Sequence, residues 1–108
     1  MDQQVNDLIN SEIENNDVCL FMKGTPDAPQ CGFSMAVSNI LKLLNVKFKG
    51  VNVLEDEKLR EEIKVYSDWP TIPQLYIKSE FIGGCDIVKE MYESKELQKI
   101  LEKKISRS

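Results

Sequence analysis

The chain has 108 residues, of which 42% are hydrophobic and 30% are charged, and its formal net charge is −4. This length predicts one domain over residues 1–108 with a single hydrophobic core. The acidic balance and the lack of a basic stripe with interleaved aromatic residues argue against nucleic-acid binding.

No targeting or membrane segment is apparent in the sequence. The apolar runs are far shorter than the ~20 residues that a membrane-spanning helix needs. The N-terminal residues Met1-Asp2-Gln3-Gln4 show neither the apolar core of a signal peptide nor the Arg-rich character of a transit peptide. We therefore expect a cytoplasmic protein.

The first half of the chain predicts two helices around a buried strand. Apolar residues at helical spacing indicate a helix over residues 3–15. The unbroken apolar run Val18–Met22 indicates a strand that is covered on both faces, and Cys19 within it is interpreted as a buried, inert thiol. A second helix is predicted after Cys31. Its apolar stripe consists of Phe33, Ala36, Val37, Ile40, Leu41 and Leu44.

A further strand and helix follow. Alternating apolar residues indicate a strand over Val46–Val53, and the alternation slips at Gly50, where we expect a β-bulge. The acidic residues 55–57 suit the first turn of the next helix, because the helix dipole favours negative charge there. The predicted apolar face of that helix consists of Leu59, Ile63 and Tyr66.

The last third predicts a β-hairpin and C-terminal helices. Residues 74–77 and 81–82 form the strands of the hairpin. Asp86 and Ser94 are the predicted N-caps of the helices that follow. The fold class is therefore α/β, with one mixed sheet of about four strands flanked by helices.

Cys31 is the candidate functional residue. It lies at the junction of a strand and a helix, in a segment rich in Gly, Pro and polar residues. Unpaired N–H groups and the dipole at the helix start favour the thiolate, and Lys23 adds a positive charge. Such surroundings lower a cysteine pKa from about 8.5 to roughly 3.5–7.5. The alternative is that Cys31 is an ordinary small hydrophobic residue.

Three motifs resemble those of the monothiol glutaredoxins. Cys31–Ser34 reads C-G-F-S, which is identical to the signature of that family, and Trp69–Leu75 and Gly83–Asp86 are similar to its other two motifs. The resemblance implies a thioredoxin-like fold in which the Ile72–Pro73 bond is cis. The sequence pattern alone favours trans, because only about 5–6% of X–Pro bonds in folded proteins are cis.

The resemblance also implies a glutathione site. Lys23 and Arg60 would bind the glycine carboxylate, the backbone of Ile72 would pair with the cysteinyl part, and Cys85 with Asp86 would hold the γ-glutamyl end. This tripeptide needs cations at one end, and N–H groups with an anion at the other. Two alternatives stay open: Arg60 could be only an ion-paired surface residue, and Asp86 only a helix cap.

Two functions are compatible with these residues, because Ser34 excludes dithiol exchange within the motif. In the first, Cys31 takes glutathione from a glutathionylated protein and a second glutathione releases it, with Cys85 as a candidate resolving thiol. In the second, Cys31 ligates iron. A [2Fe–2S] cluster needs four thiolates, and one chain offers a single exposed thiolate at a helix start. A cluster would therefore need two chains and two external thiols.

The family resemblance favours the second function. Monothiol glutaredoxins hold a [2Fe–2S] cluster in a homodimer through two protein cysteines and two glutathiones, pass it to iron–sulfur apoproteins, and pair with BolA-like proteins. The seven residues between Lys23 and Cys31 are several more than the dithiol relatives have, and in the family this longer loop accompanies weak reductase activity. We therefore expect a cluster carrier that is at most a weak oxidoreductase.

Overall fold

A computed structural model of the chain describes residues 3–105. The elements alternate between helices and strands in the first half and end with a hairpin and two helices. In chain order they are α1 (Gln3–Asn15), β1 (Val18–Met22), β2 (Gly24–Thr25), β3 (Ala28–Pro29), α2 (Gly32–Leu43), β4 (Lys49–Asn52), a 3₁₀ turn (Val53–Glu55), α3 (Glu57–Ser67), β5 (Gln74–Ile77), β6 (Glu80–Gly83), α4 (Cys85–Glu93) and α5 (Glu96–Lys104).

Four strands form one sheet in the order β4-β1-β5-β6. Strand β1 is parallel to β4 and antiparallel to β5, and β6 is antiparallel to β5. All five residues of β1 are buried, as the unbroken apolar run predicted. Cys19 and Phe21 face one side of the sheet, whereas Val18, Leu20 and Met22 face the other.

Helices cover both faces of this sheet. Apolar side chains of α1 and α3, including Ile9 and Ile63, pack with Phe21 on one face. Helices α2, α4 and α5 pack with Leu20 on the other face, where Leu41 is among the fully buried residues. A mixed four-stranded sheet between two helical layers confirms the expected thioredoxin-like architecture.

The strand predicted over Val46–Val53 is shorter in the structure. Only Lys49–Asn52 pairs with β1, and Val53 begins the 3₁₀ turn. The register between β1 and β4 is unbroken, so the bulge expected at Gly50 is wrong; the irregularity in the sheet lies between β5 and β6, at Leu75 and Tyr76. Gly50 is instead a point of close packing, because a Cβ there would lie 2.5 Å from Cγ of Pro26.

Two aromatic residues assigned to buried helix faces are exposed. Phe33 is 63% exposed, because the first turn of α2 projects beyond the core. Tyr66 is 37% exposed at the end of α3. Its ring packs edge-on against Tyr76, and its hydroxyl donates a hydrogen bond to Oδ1 of Asn10 at 2.8 Å.

The helix caps follow the predictions in part. Of the acidic residues expected in the first turn of α3, only Glu57 lies there; Asp56 is the N-cap and accepts a hydrogen bond from the Lys58 N–H group. The cap predicted at Asp86 is wrong: Gly84 occupies that position, and Asp86 is the second residue of α4. The N-cap residue of α5 is Lys95, whose backbone is left-handed, so the prediction of Ser94 as the N-cap is wrong. The Ser94 hydroxyl still accepts the hydrogen bond from the N–H group of Glu96 at 3.3 Å.

Two further features lie close to Cys31. Residues 24–30 contain a short two-stranded hairpin, β2 with β3, which the sequence pattern did not predict. The Ile72–Pro73 peptide bond is cis, as the family resemblance implied.

No helix within residues 3–105 is long and apolar enough to cross a membrane.

Replacing Leu20 by Ala should lower the free energy of unfolding by about 2–5 kcal/mol, because the substitution leaves a cavity in a fully buried position of β1. The matched control is Leu43→Ala, the same chemical change at a residue that is 72% exposed, which should change stability by less than about 0.5 kcal/mol. Chemical denaturation of both variants measures the difference. Equal effects at the two positions would contradict this description of the core.

Candidate functional site

Cys31 lies at the start of α2, as its N-cap residue. The carbonyl oxygen of Cys31 accepts the first helical hydrogen bond, from the N–H group of Met35 at 2.9 Å. The N–H group of the preceding residue, Gln30, donates to the carbonyl oxygen of Lys23 at 2.9 Å and closes the loop between β1 and α2. The thiol is thus held between the end of the central strand and a helix N-terminus, and it remains partly accessible to solvent.

The surroundings of Cys31 lower the pKa of its thiol. The largest cause is the backbone N–H group of Ser34, which donates a hydrogen bond to the sulfur. Partial burial raises the pKa. The Phe33 N–H group, the positive charge of Lys23 and the Ser34 hydroxyl lower it further. The helix start and the lysine therefore favour the thiolate in the way that the sequence predicted.

Ser34 lies where a C-x-x-C enzyme has its second cysteine. Its side chain is completely buried, and its hydroxyl oxygen accepts a hydrogen bond from the N–H group of Lys23 at 3.0 Å. A hydroxyl has one proton and two lone pairs, so the same group can donate to the Cys31 thiolate. Ser34 thus joins Lys23 to Cys31 and offers no thiol for disulfide exchange.

A cavity of about 180 Å³ lies beside this helix start. The cis peptide Ile72–Pro73 forms one wall, and the beginning of α4 forms another. The lining residues are Phe33, Trp69, Thr71, Ile72, Pro73, Gly84, Cys85, Asp86 and Ile87. The structure therefore brings together three of the residues predicted to bind glutathione, namely Ile72, Cys85 and Asp86. Cys31 and Lys23 are not lining residues; they are connected to the cavity through Phe33 in the first turn of α2.

Cys85 shares this site but differs from Cys31 in its chemistry. Burial is the main cause that raises the pKa of the Cys85 thiol; Lys89 lowers it, and the charges of Asp86 and a Cys31 thiolate raise it further. None of the three cysteines forms a disulfide. Burial raises the pKa of the third thiol, Cys19, to about 12, so the prediction that it is buried and inert is consistent with the structure.

Arg60 is the predicted site residue that the structure does not bring to the cavity. It lies in the first half of α3 and does not line the space beside Cys85. Its guanidinium forms no ion pair within residues 3–105, and its buried Nε atom has no hydrogen-bond partner there. The alternative of a solvated ion pair within α3 is therefore not supported, and glutathione binding by Arg60 stays a prediction.

Sequence reasoning missed two residues that shape the cavity. Trp69 and Thr71 line it, and both approach Gly84: a Cβ at that position would lie 3.2 Å from Nε1 of Trp69 and 3.8 Å from Oγ1 of Thr71. The available signal was the Trp69–Leu75 motif, which the family resemblance had marked as a whole without giving Trp69 and Thr71 individual roles. Gly84 allows this close approach because it has no side chain.

A larger cleft than the cavity beside α2 lies elsewhere in the described part of the chain. It encloses about 690 Å³ at the opposite end of β1, next to Val18 and the end of α5. None of the predicted site residues lines it. Size alone would therefore have selected the wrong end of the sheet, whereas the pKa of Cys31 and the clustering of motifs select the cavity beside α4.

Comparisons with known proteins identify the family of the chain. The sequence profile of the Glutaredoxin family matches residues 18–82. A protein named "Probable monothiol glutaredoxin 2" from Rickettsia conorii is 57% identical over 93 residues, which cover 86% of this chain and 87% of that protein. The chain therefore belongs to the glutaredoxin family, in its monothiol branch.

Solved structures show the same fold. The solution structure of reduced apo GrxS14 from poplar superposes with a TM-score of 0.85 at 52% identity and covers 95% of this chain and 94% of that one. A glutaredoxin–glutathione complex from buckwheat also superposes with a TM-score of 0.85, over 98% of this chain and 94% of that one. Its identity is 17%, so this second likeness concerns the fold alone.

Replacing Ser34 by Ala should raise the pKa of Cys31, because the thiolate loses a hydroxyl donor and the Lys23 N–H group loses its acceptor. The pH midpoint of iodoacetamide alkylation, followed on the Cys31 peptide by mass spectrometry, should therefore move upward. Ser38→Ala is the matched control: this serine is also completely buried in α2, and its hydroxyl has no partner among the described residues. A midpoint that stays unchanged in Ser34→Ala would contradict the assigned role of the hydroxyl.

Proposed function

We propose that the protein binds glutathione and carries a [2Fe–2S] cluster between two protomers for transfer to iron–sulfur apoproteins. The observation that carries this proposal is a single accessible thiol with a lowered pKa, next to a buried serine in place of a second thiol. A thiolate is the form of cysteine that binds metal. In this proposal the cluster is cargo, and a BolA-like protein can replace one protomer.

The distribution of metal-binding groups supports a site shared between two chains. Within residues 3–105, no group of three or more His, Cys, Asp or Glu side chains is close enough to hold a metal ion. Burial and a pKa of about 12 make Cys19 unsuitable as a ligand, and Cys85 has a raised pKa. One chain therefore contributes Cys31, and four thiolates require a second chain and two external thiols.

Glutathione is the external thiol that the site would accept. The positive charge of Lys23 acts on Cys31, whereas Asp86 lines the cavity at the N-terminus of α4, where backbone N–H groups are unpaired. This distribution suits a tripeptide with a carboxylate at one end and an amine with a second carboxylate at the other. The buckwheat relative whose structure is a glutathione complex has the same fold, which agrees with this assignment.

A second function uses the same thiolate. Cys31 would attack the glutathione sulfur of a mixed disulfide and release the protein thiolate, and a second glutathione thiolate would then attack the Cys31 mixed disulfide. Glutathione disulfide and the Cys31 thiolate are the products. The lowered pKa and partial exposure of Cys31 favour this reaction, but the completely buried Ser34 leaves no resolving thiol within the motif. The protein is thus proposed to be at most a weak oxidoreductase.

Anaerobic reconstitution with iron, sulfide and glutathione separates the two functions. The carrier proposal expects visible absorption from a cluster, together with a change from monomer to dimer by size-exclusion chromatography. The control is the same mixture without glutathione, which should give neither. A colourless monomer that rapidly turns over glutathione mixed disulfides would overturn the carrier proposal in favour of the reductase.

Two cysteine variants test the ligand assignment in the same assay. Cys31→Ser should abolish cluster assembly and glutathione-dependent reduction, because the serine hydroxyl is not ionised at neutral pH. Cys85→Ser is the matched control and should still assemble the cluster, since Cys85 is not assigned as a ligand and serine keeps the backbone N–H group at the start of α4. Loss of the cluster in Cys85→Ser would show that the ligand assignment is wrong.

A further inference from the structure

A single side-chain oxygen connects the loop before Cys31 to the segment that leads into α3. Oδ1 of Asn52 accepts a hydrogen bond from the N–H group of Gly24 at 3.0 Å and another from the N–H group of Leu54 at 2.9 Å. Asn52 is the last residue of β4 and the N-cap of the 3₁₀ turn. The interaction with Gly24 joins segments that are far apart in the sequence.

The two N–H groups that Asn52 accepts from belong to backbone segments near Lys23 and Arg60, the two cations predicted to bind glutathione. Gly24 directly follows Lys23, whose own N–H group donates to Ser34. Leu54 lies in the 3₁₀ turn that precedes α3, and the Arg60 N–H group donates to the carbonyl oxygen of Asp56 in the first turn of that helix. The position of Lys23 therefore depends on a backbone segment that Asn52 contacts directly, whereas Arg60 lies in the helix that follows the second contact.

The loop itself has little freedom at the point of contact. Gly24 has a φ of +94°, and a Cβ there would lie 2.5 Å from the carbonyl oxygen of Ala28 and 2.6 Å from the nitrogen of Gln30. This conformation directs the N–H group of Gly24 toward Asn52. Pro26 of the same loop packs on Gly50 of β4, where there is no room for a Cβ. The loop is thus held to β4 at two places.

We propose that Asn52 is a positioning residue that fixes Lys23 relative to Cys31, so that the lysine ammonium group meets a carboxylate of glutathione. This inference rests on the proposed binding of glutathione. Asn52 acts through the backbone of Gly24 and Leu54 and does not itself contact the tripeptide. A loop of seven residues without this contact would sample many conformations and would lose more entropy when the ligand binds.

Two substitutions separate the positioning role from simple capping of the 3₁₀ turn. Asn52→Ala removes both hydrogen bonds. Asn52→Ser retains a good N-cap for Leu54, but its side chain is one atom shorter and loses the bond to Gly24. Calorimetry on the metal-free protein should show that both variants bind glutathione about fivefold more weakly, the factor that corresponds to one net hydrogen bond of ~1 kcal/mol.

The matched control is Tyr66→Phe. It removes one side-chain hydrogen bond, to Asn10, on the outer surface of α1 and α3. It should change glutathione affinity by less than twofold, although it loses a hydrogen bond as Asn52→Ser does. Glutathione affinity at the wild-type level in Asn52→Ser, with weaker binding only in Asn52→Ala, would mean that Asn52 is merely a cap and would overturn the inference.

The pH dependence of Cys31 alkylation gives an independent readout. A displaced Lys23 lowers the pKa of the thiol less, so both Asn52 variants should shift the alkylation midpoint upward, whereas Tyr66→Phe should not. This measurement needs neither glutathione nor iron. If the wild-type protein fails to bind glutathione, the proposed function fails, and the alkylation midpoint still decides whether Asn52 positions Lys23.

Gly50→Ala keeps the test decisive if Asn52→Ala does not fold. The added methyl group should displace Pro26 while the bond from Asn52 to Leu54 stays intact. Weaker glutathione binding with an upward shift of the Cys31 midpoint would support the dependence of Lys23 on the loop. Wild-type values of both quantities in Gly50→Ala and Asn52→Ser would overturn it.

Discussion

The hydrogen bond from the Lys23 N–H group to the buried Ser34 hydroxyl joins the end of the central strand to the first turn of α2. The geometry around Cys31 depends on this contact. Lys23 ends the buried segment that begins with β1, and Ser34 directs its own N–H group toward the Cys31 sulfur. The position that would carry a second thiol in a dithiol enzyme thus connects two elements of secondary structure, and its hydroxyl stabilises the thiolate.

The three cysteines show how far burial and hydrogen bonding separate the chemistry of identical side chains. Cys19 lies in the centre of the sheet, where burial raises its pKa to about 12. Cys85 begins a helix as Cys31 nearly does, yet burial and two negative neighbours raise its pKa. Only Cys31 combines partial exposure with N–H donors and a lysine. A helix start therefore makes a reactive cysteine only where N–H donors and neighbouring positive charge outweigh the effect of burial.

The sequence predicted local structure well where periodicity is long and unbroken, and less well where distant contacts decide. Helix α1 and strand β1 followed from spacing and composition. The slip of alternation at Gly50 was interpreted as a bulge, although Gly50 makes room for Pro26 from another segment. The exposure of Phe33 likewise depends on how far α2 extends beyond the sheet, and the spacing of apolar residues does not specify that length.

Cys31 stood out from its neighbours in the sequence, but the gathering of Ile72, Cys85 and Asp86 into one cavity followed only from the family resemblance. The role inferred for Asn52 needed the folded backbone, because its partner Gly24 is distant in the sequence.

The absence of histidine has a consequence for measuring proton release. Hydrogen-bond donors that do not titrate near neutral pH, together with a lysine, set the acidity of Cys31, whereas Cys19 and Cys85 have raised pKa values. Histidine is the side chain whose ordinary pKa lies closest to neutral pH, so in its absence no histidine proton obscures the proton of Cys31. When a metal or an electrophile binds this sulfur, the number of protons released to the buffer equals the fraction of Cys31 that was still a thiol. Titration calorimetry in buffers with different ionisation enthalpies would therefore measure the protonation state of one atom, without a label or a spectroscopic probe.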